Sequence, residues 1–274
     1  MEASVALECR SPEPLPDLVR PPLKWAGGKR WQLPLLRPIW DAHRARRLVE
    51  PFCGGLAVAL GLQPARALLN DVNPHLVNFY RWLQRGLRPS LPMENSEALY
   101  YRHRDRFNAL LGAGKASTRE AAELFYYLNR TGYNGLCRFN ASGGFNVPFG
   151  RYAAIRYRTD FEVYRTAFAG WAFACGDLAD VPLHRGDFVY ADPPYDVPFT
   201  TYSKGGFDWD DQVRTAERLA RHPGPVVLSN QATDRIVQLY RRLGFTLRLV
   251  EAPRRISCNG DRRPAVEVIA VRNV

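Results

Sequence analysis

From Arg47 to Asn73 the chain reads strand, turn, helix, strand, and after residues 74–165 the same rhythm resumes. An apolar run over 48–52 enters the Cys53-Gly54-Gly55 turn, an Ala/Leu-rich helix over 56–62 follows, and a second strand over 65–70 ends on Asp71. Further strands are predicted over 171–175, 187–191, 226–229 and 245–251, with helices over 211–221 and 233–243. A last strand over 265–271 follows the Asn259-Gly260 turn. Alternation at this spacing builds βαβ units and a mainly parallel sheet, closed here by an antiparallel strand. Residues 74–165 break the rhythm. They are aromatic, basic and mostly helical (76–84, 96–111, 119–129), then turn into Gly/Asn-rich sequence over 131–145 that predicts a β-hairpin or loop. The expectation is one α/β domain, residues 21–73 and 166–274, carrying an inserted, mainly helical domain over 74–165. The Pro- and Glu-rich residues 1–20 are expected to be disordered.

Charge narrows the class of partner. Thirty-eight Lys and Arg against 27 Asp and Glu leave a formal net charge of +11, an excess that favours a polyanion, because each phosphate neutralised releases condensed counterions. No run of about 20 apolar residues is present to span a membrane. The opening MEASVALECR has no apolar core of the secretory kind. Five cysteines, at 9, 53, 137, 175 and 258, form no C-x-x-C pair and have no histidine at ligand spacing. They read as reduced thiols of a cytoplasmic protein without a metal site.

The segment Phe188-Val189-Tyr190-Ala191-Asp192-Pro193-Pro194-Tyr195 carries the strongest chemistry. In an open α/β sheet, ligands bind at the carboxyl ends of the strands, where Asp192 would stand. Pro193 and Pro194 fix φ and remove two backbone donors, so the loop is stiff and presents carbonyl oxygens. A carboxylate beside a stiff carbonyl gives two acceptors suited to an amino group with two hydrogens, and Tyr195 adds a stacking face. The turn Glu50-Pro51-Phe52-Cys53-Gly54-Gly55 lets backbone approach a ligand. It lacks the dinucleotide fingerprint G-x-G-x-x-G. Asp71, closing the next strand, is placed where an acid bonds ribose hydroxyls, so the pair suggests an adenosine-containing ligand. Lys24-Trp25-Ala26-Gly27-Gly28-Lys29 is no phosphate loop, because Leu23 and Arg30 stand where that pattern needs Gly and a hydroxyl. Its lysine can still meet a carboxylate, and Trp25 can face a cation.

These motifs together, in this order, resemble the Dam-type (class D12) DNA adenine-N6 methyltransferases, and the likeness runs from about Pro22 to Val271. It includes Asn129-Arg130-Thr131-Gly132-Tyr133-Asn134-Gly135-Leu136-Cys137-Arg138-Phe139-Asn140 and Phe145-Asn146-Val147-Pro148-Phe149-Gly150-Arg151-Tyr152. The resemblance implies a Rossmann-like methyltransferase sheet using S-adenosyl-L-methionine, bound by Trp25, Lys29, Phe52, Gly54, Asp71 and Asp192. It implies that residues 74–165 recognise the target in double-stranded DNA. Asp192 and the Pro193 carbonyl would hold the amino group of a flipped adenine, with Pro194 and Tyr195 completing the acceptor site. Lys24 would contact the first guanine of GATC. Arg138 could pair with guanine O6 and N7, Leu136 and Pro148 could touch a thymine methyl, and Tyr133 could wedge into the stack. Asn134, Arg151 and Tyr152 complete the expected DNA contacts. After Tyr152 the chain has Ala153-Ala154 where the pattern has basic residues. The expected molecule is a monomer, with or without a restriction endonuclease acting on the same site. Two alternatives share some of these features: a methyltransferase acting on RNA or a glutamine amide, and a non-catalytic DNA-binding regulator.

Overall fold

The computed structural model describes residues 19–196, 206–252 and 265–274. Most of the expected N-terminal disorder, the Asn259-Gly260 turn and the basic residues flanking it lie outside the described residues. In chain order the elements are α1 (Leu33–Asp41), β1 (Leu48–Glu50), α2 (Ala57–Leu62), β2 (Ala67–Asp71), α3 (Pro74–Gln84), α4 (Glu97–Gly112), α5 (Arg119–Thr131), α6 (Glu162–Ala167), β3 (Trp171–Cys175), β4 (Phe188–Ala191), α7 (Trp209–Ala220), β5 (Val226–Gln231), α8 (Asp234–Arg242), β6 (Thr246–Ala252) and β7 (Ala265–Arg272). Seven strands form one sheet in the order β3-β2-β1-β4-β5-β7-β6, parallel except for β7.

That order explains the apolar runs. Both sheet faces are covered, so successive strand residues enter opposite cores. Leu48, Leu69, Phe188, Tyr190 and Val227 pack with the helices α1 to α6, while Val49, Leu68, Val189, Ala191 and Leu228 pack with α7 and α8. The helices begin where side chains satisfy their first N–H groups: Asn73 caps α3 ahead of Pro74, Ser96 caps α4, Thr118 caps α5, and Asp208 with Asp211 forms a capping box on α7. The sheet is Rossmann-like, as expected, and the long excursion between β2 and β3 is mainly helical.

Two helices depart from the sequence reading. The helices α1 and α6 were not expected. In α1, Pro34 stands in the first turn, where no intrahelical donor is needed, and Pro38 lies inside the helix. The Gly/Asn-rich stretch takes the second of its two expected forms, a looped segment closed by two isolated antiparallel bridges, Gly132 to Phe149 and Phe139 to Phe145. The Asn140 side chain accepts the Gly144 N–H at 2.8 Å and closes the turn between the second pair.

Candidate active site

The chain winds outward from β1 through β2 to β3, then returns to β4 on the other side of β1, and this reversal of strand order is where an open sheet takes a ligand at its carboxyl ends. Glu50 ends β1, Asp71 ends β2, and Asp192 follows β4. Asn70 ties three of these ends together, its amide donating to the carbonyls of Pro51 and Gly176 at 2.9 Å each.

Beside the first turn, Trp25 packs so closely that a Cβ on Gly54 would stand 2.9 Å from its Nε1, and one on Gly55 would stand 2.8 Å from its Cβ. Gly54 also has φ +43°, so this glycine pair is what admits the indole. The turn is held from below by the Tyr80 hydroxyl, 2.7 Å from the Gly54 carbonyl. Asp71 accepts the N–H groups of Gly54 at 3.0 Å and Asn73 at 2.9 Å. Burial raises its pKa, and these two bonds oppose the shift.

Lys29 meets the residues that follow β4. Its Nζ lies 3.1 Å from Asp192 Oδ2, donates to the Gly27 carbonyl at 2.7 Å and sits 4.6 Å over the Tyr195 ring. Burial raises the Asp192 pKa, and the Lys29 charge opposes it. Glu50, fully buried, is pushed well above the ordinary carboxyl range by burial and then by Asp192. Glu50 Oε1 and Asp192 Oδ1 are buried without hydrogen-bond partners among the described residues. The turn after Asp192 is clamped, since Gln212 of α7 donates to the Pro194 carbonyl at 2.7 Å and is itself fixed by Asn230 at 2.9 Å. Phe52 meets Phe207 edge to face, centroids 5.7 Å apart.

A second set lies against the first. The Asn129 side chain grips Lys24, accepting its N–H at 2.9 Å and donating to its carbonyl at 2.8 Å. Lys24 Nζ donates to the Arg130 carbonyl at 3.1 Å and lies 3.6 Å over the Tyr152 ring. Asn134 and Gly135 both have positive φ, and Gly135 adjoins this lysine. Tyr133, half exposed, donates its N–H to the Pro148 carbonyl at 2.9 Å. Asn73 reaches Cys137 Sγ at 3.3 Å, joining this segment to the end of β2. Arg138 is exposed, with Nε and Nη2 donating to Asn146 at 2.8 and 3.1 Å. Leu136 packs partly on the core, and Arg151 is exposed, 3.7 Å from Glu97.

The expected site residues therefore gather in two adjoining groups, Trp25, Lys29, Phe52, Gly54, Asp71 and Asp192 to Tyr195 in one, and Lys24, Tyr133, Asn134, Pro148 and Tyr152 in the other. Arg138 and Arg151 stand at the margin. Sequence reasoning missed Gln32, Phe207, Gln212 and Glu267. None belongs to a recognisable motif, and they become neighbours of the site only through the sheet order.

One change tests how tightly the groups adjoin. A Cβ on Gly135 would lie 2.3 Å from Lys24 Cβ, at a φ of +63°. Gly135→Ala is expected to cost about 2 kcal/mol or more, combining left-handed backbone strain with the clash. In a chain of this size that lowers Tm by about 4–8 °C in a thermal melt. An unchanged Tm would mean that Lys24 is not held there.

The D12 class N6 adenine-specific DNA methyltransferase family model matches residues 25–256. The retron Ec67 DNA adenine methylase of Escherichia coli is 37% identical over 265 residues, covering 91% of this chain and 90% of its own. A Vibrio cholerae DNA adenine methylase is 37% identical over 269 residues, covering 89% of this chain and 92% of its own. That of Escherichia coli K12 is 36% identical over 267 residues, with the same coverage of 89% and 92%. The chain belongs to the D12 class of N6 adenine-specific DNA methyltransferases and is a DNA adenine methyltransferase.

Proposed function

We propose that the chain methylates the N6 amino group of an adenine flipped out of double-stranded DNA, within GATC, using S-adenosyl-L-methionine. The observation that carries this reading is the pair of buried carboxylate oxygens, on Glu50 and Asp192, that have no hydrogen-bond partner among the described residues, beside the Lys29 ammonium. Buried acids whose pKa values burial raises suit a sulfonium cation. The glycine turn under Trp25 and the two-N–H seat of Asp71 suit the rest of that cofactor. Trp25, Lys29, Phe52, Gly54, Asp71 and Asp192 would hold it, and when bound it supplies an electrophilic methyl group.

The chain's own residues then do the positioning. The exocyclic amine of adenine is conjugated to the ring and is a poor nucleophile. Asp192 and the Pro193 carbonyl accept its two hydrogens, draw the nitrogen toward tetrahedral geometry and aim its lone pair. Gln212 and Asn230 keep that turn from yielding, and Tyr195 holds the base by its face. Such alignment can contribute several kcal/mol without any covalent intermediate. Extrusion of the base costs a few kcal/mol. Tyr133, exposed beside Pro148, fills the gap it leaves. Residues 74–165 serve target recognition, with Lys24, Asn134, Leu136, Arg138, Arg151 and Tyr152 on the DNA. The enzyme works as a monomer in the cytoplasm, alone or beside a nuclease of the same site. Across the described residues no helix is long and apolar enough to cross a membrane.

Lys24 makes this reading sensitive to pH. Burial and the Arg130 charge lower its pKa to about 8, so the ammonium that would meet guanine is lost on the alkaline side. Cognate DNA affinity should fall about tenfold between pH 8 and 10, as read by fluorescence anisotropy. Lys24→Arg should flatten that slope, and an equal slope in the variant would remove Lys24 from the contact.

The reaction itself is tested by transfer of label from S-adenosylmethionine to two duplexes differing in one GATC site, followed by nucleoside analysis. Label in N6-methyladenine on the GATC duplex alone is expected. Equal label on both overturns the site, and label on neither overturns the proposal.

A further inference from the structure

Behind the acceptor turn runs a buried polar chain that the reaction proposed above leaves unused. Gln32, Tyr190, Ser229 and Glu267 are all buried. The Gln32 amide is fully committed: its Oε1 accepts the Tyr190 hydroxyl at 3.0 Å, and its Nε2 donates to Ser229 Oγ at 2.9 Å and to Glu267 Oε2 at 3.0 Å. The Tyr195 hydroxyl lies 3.3 Å from Ser229 Oγ, which the Gln32 amide joins to Glu267. These residues come from the turn before α1 and from β4, β5 and β7, so the sheet is what assembles them.

A carboxylate on an inner strand is costly. Burial raises the Glu267 pKa, opposed first by Lys29 and then by Tyr195. Its neighbours on β7, Val268 to Ala270, are buried apolar residues, and an apolar residue at 267 would avoid the penalty. What the carboxylate adds is geometry. It orients the Gln32 amide, and both act on the far end of a tyrosine whose near end is fixed by Pro193 and Pro194. A ring held at both ends cannot rock.

We propose that Glu267 is a positioning residue for methyl transfer, fixing the hydroxyl end of Tyr195, with Gln32 and Ser229, and so the plane against which the target adenine is held. This rests on the reading of Tyr195 as the stacking face.

The test is a double-mutant cycle on single-turnover methyl transfer, using a duplex that the wild-type enzyme methylates, with KM for that duplex measured alongside. Tyr195→Phe and Glu267→Gln are each expected to slow transfer about tenfold with KM within about twofold, since misplacement affects the reacting geometry more than binding. The double variant should be no slower than the slower single, because both changes cut one connection. Additive losses, or wild-type rates in Tyr195→Phe and Glu267→Gln with Tyr195→Ala inactive, overturn the positioning role and leave the stacking reading standing. Wild-type activity in Tyr195→Ala overturns the stacking reading itself. If Glu267→Gln does not fold, Ser229→Ala takes its place in the same cycle.

Discussion

Replacing Asp192 with alanine is expected to slow methyl transfer by about a thousandfold or more while the protein stays folded and keeps its affinity for DNA. The loss follows from the placement of the carboxylate after β4, where it would be one of two acceptors that fix the amino nitrogen. Removing one fixed hydrogen-bonding group of this kind costs about 10²–10³ in rate, and here the Lys29 partner is disturbed as well. Tolerance of the fold follows from the direction of the pKa shift. Burial outweighs Lys29 and raises the folded pKa of Asp192. The stability linked to this group is therefore present below its unfolded pKa and lost as pH rises through the folded one. At neutral pH its charge is not a source of stability, and Lys29 keeps the Gly27 carbonyl and the Tyr195 face. Asp192→Asn separates the roles, because its amide oxygen still accepts one hydrogen, so it should retain more activity than the alanine variant. Single-turnover label incorporation, a DNA band shift and a thermal melt check all three statements. A near-wild-type rate in Asp192→Ala would sink the acceptor role.

How much could be read in advance depended on whether a residue's role was local. The inner strands were legible because burial on both faces makes them short apolar runs between turn residues. α1 carries two prolines, which hide it in the sequence, and Pro34 sits where none of the helix's own N–H groups has a partner. Only Pro38 removes a bond. α6 is six residues long, too short for a periodic pattern. Asp71, Asp192 and Tyr195 stood out as ends of strands, and their positions follow from the sheet. Glu267 could not have been read the same way. In sequence it is one acid among valines in a last strand, and its nearness to Gln32 exists because β7 enters the sheet between β5 and β6. Phe207 likewise gains meaning from Phe52 alone. The grip of Asn129 on Lys24 spans 105 residues of chain and couples two motifs that the sequence shows only as separate runs.

Arg138→Ala is expected to lower methylation of a GATC duplex by about 10–100-fold and to flatten discrimination at one base pair, while affinity for unrelated DNA changes little. The geometry of the guanidinium sets this expectation. Nε and Nη2 already donate along one edge to Asn146, which holds the plane in a fixed direction from an exposed loop. The opposite edge, Nη1 with the second hydrogen of Nη2, keeps two parallel donors, the pattern that matches guanine O6 and N7. Because Asn146 orders the side chain before DNA arrives, little rotamer entropy is left to lose on contact. A bidentate base contact contributes about 1–3 kcal/mol of discrimination, which gives the stated range. A phosphate contact would behave differently: its loss weakens binding to all sequences alike and lowers the salt dependence. Asn146→Ala should reproduce part of the Arg138 defect, since it removes the Nε contact and loosens the plane while the Nη2 bond to the backbone carbonyl remains. Rates on duplexes substituted at each position of the site, with affinities at two salt concentrations, separate the cases. A uniform loss over all duplexes would place Arg138 on the backbone and return the reading of guanine to Lys24.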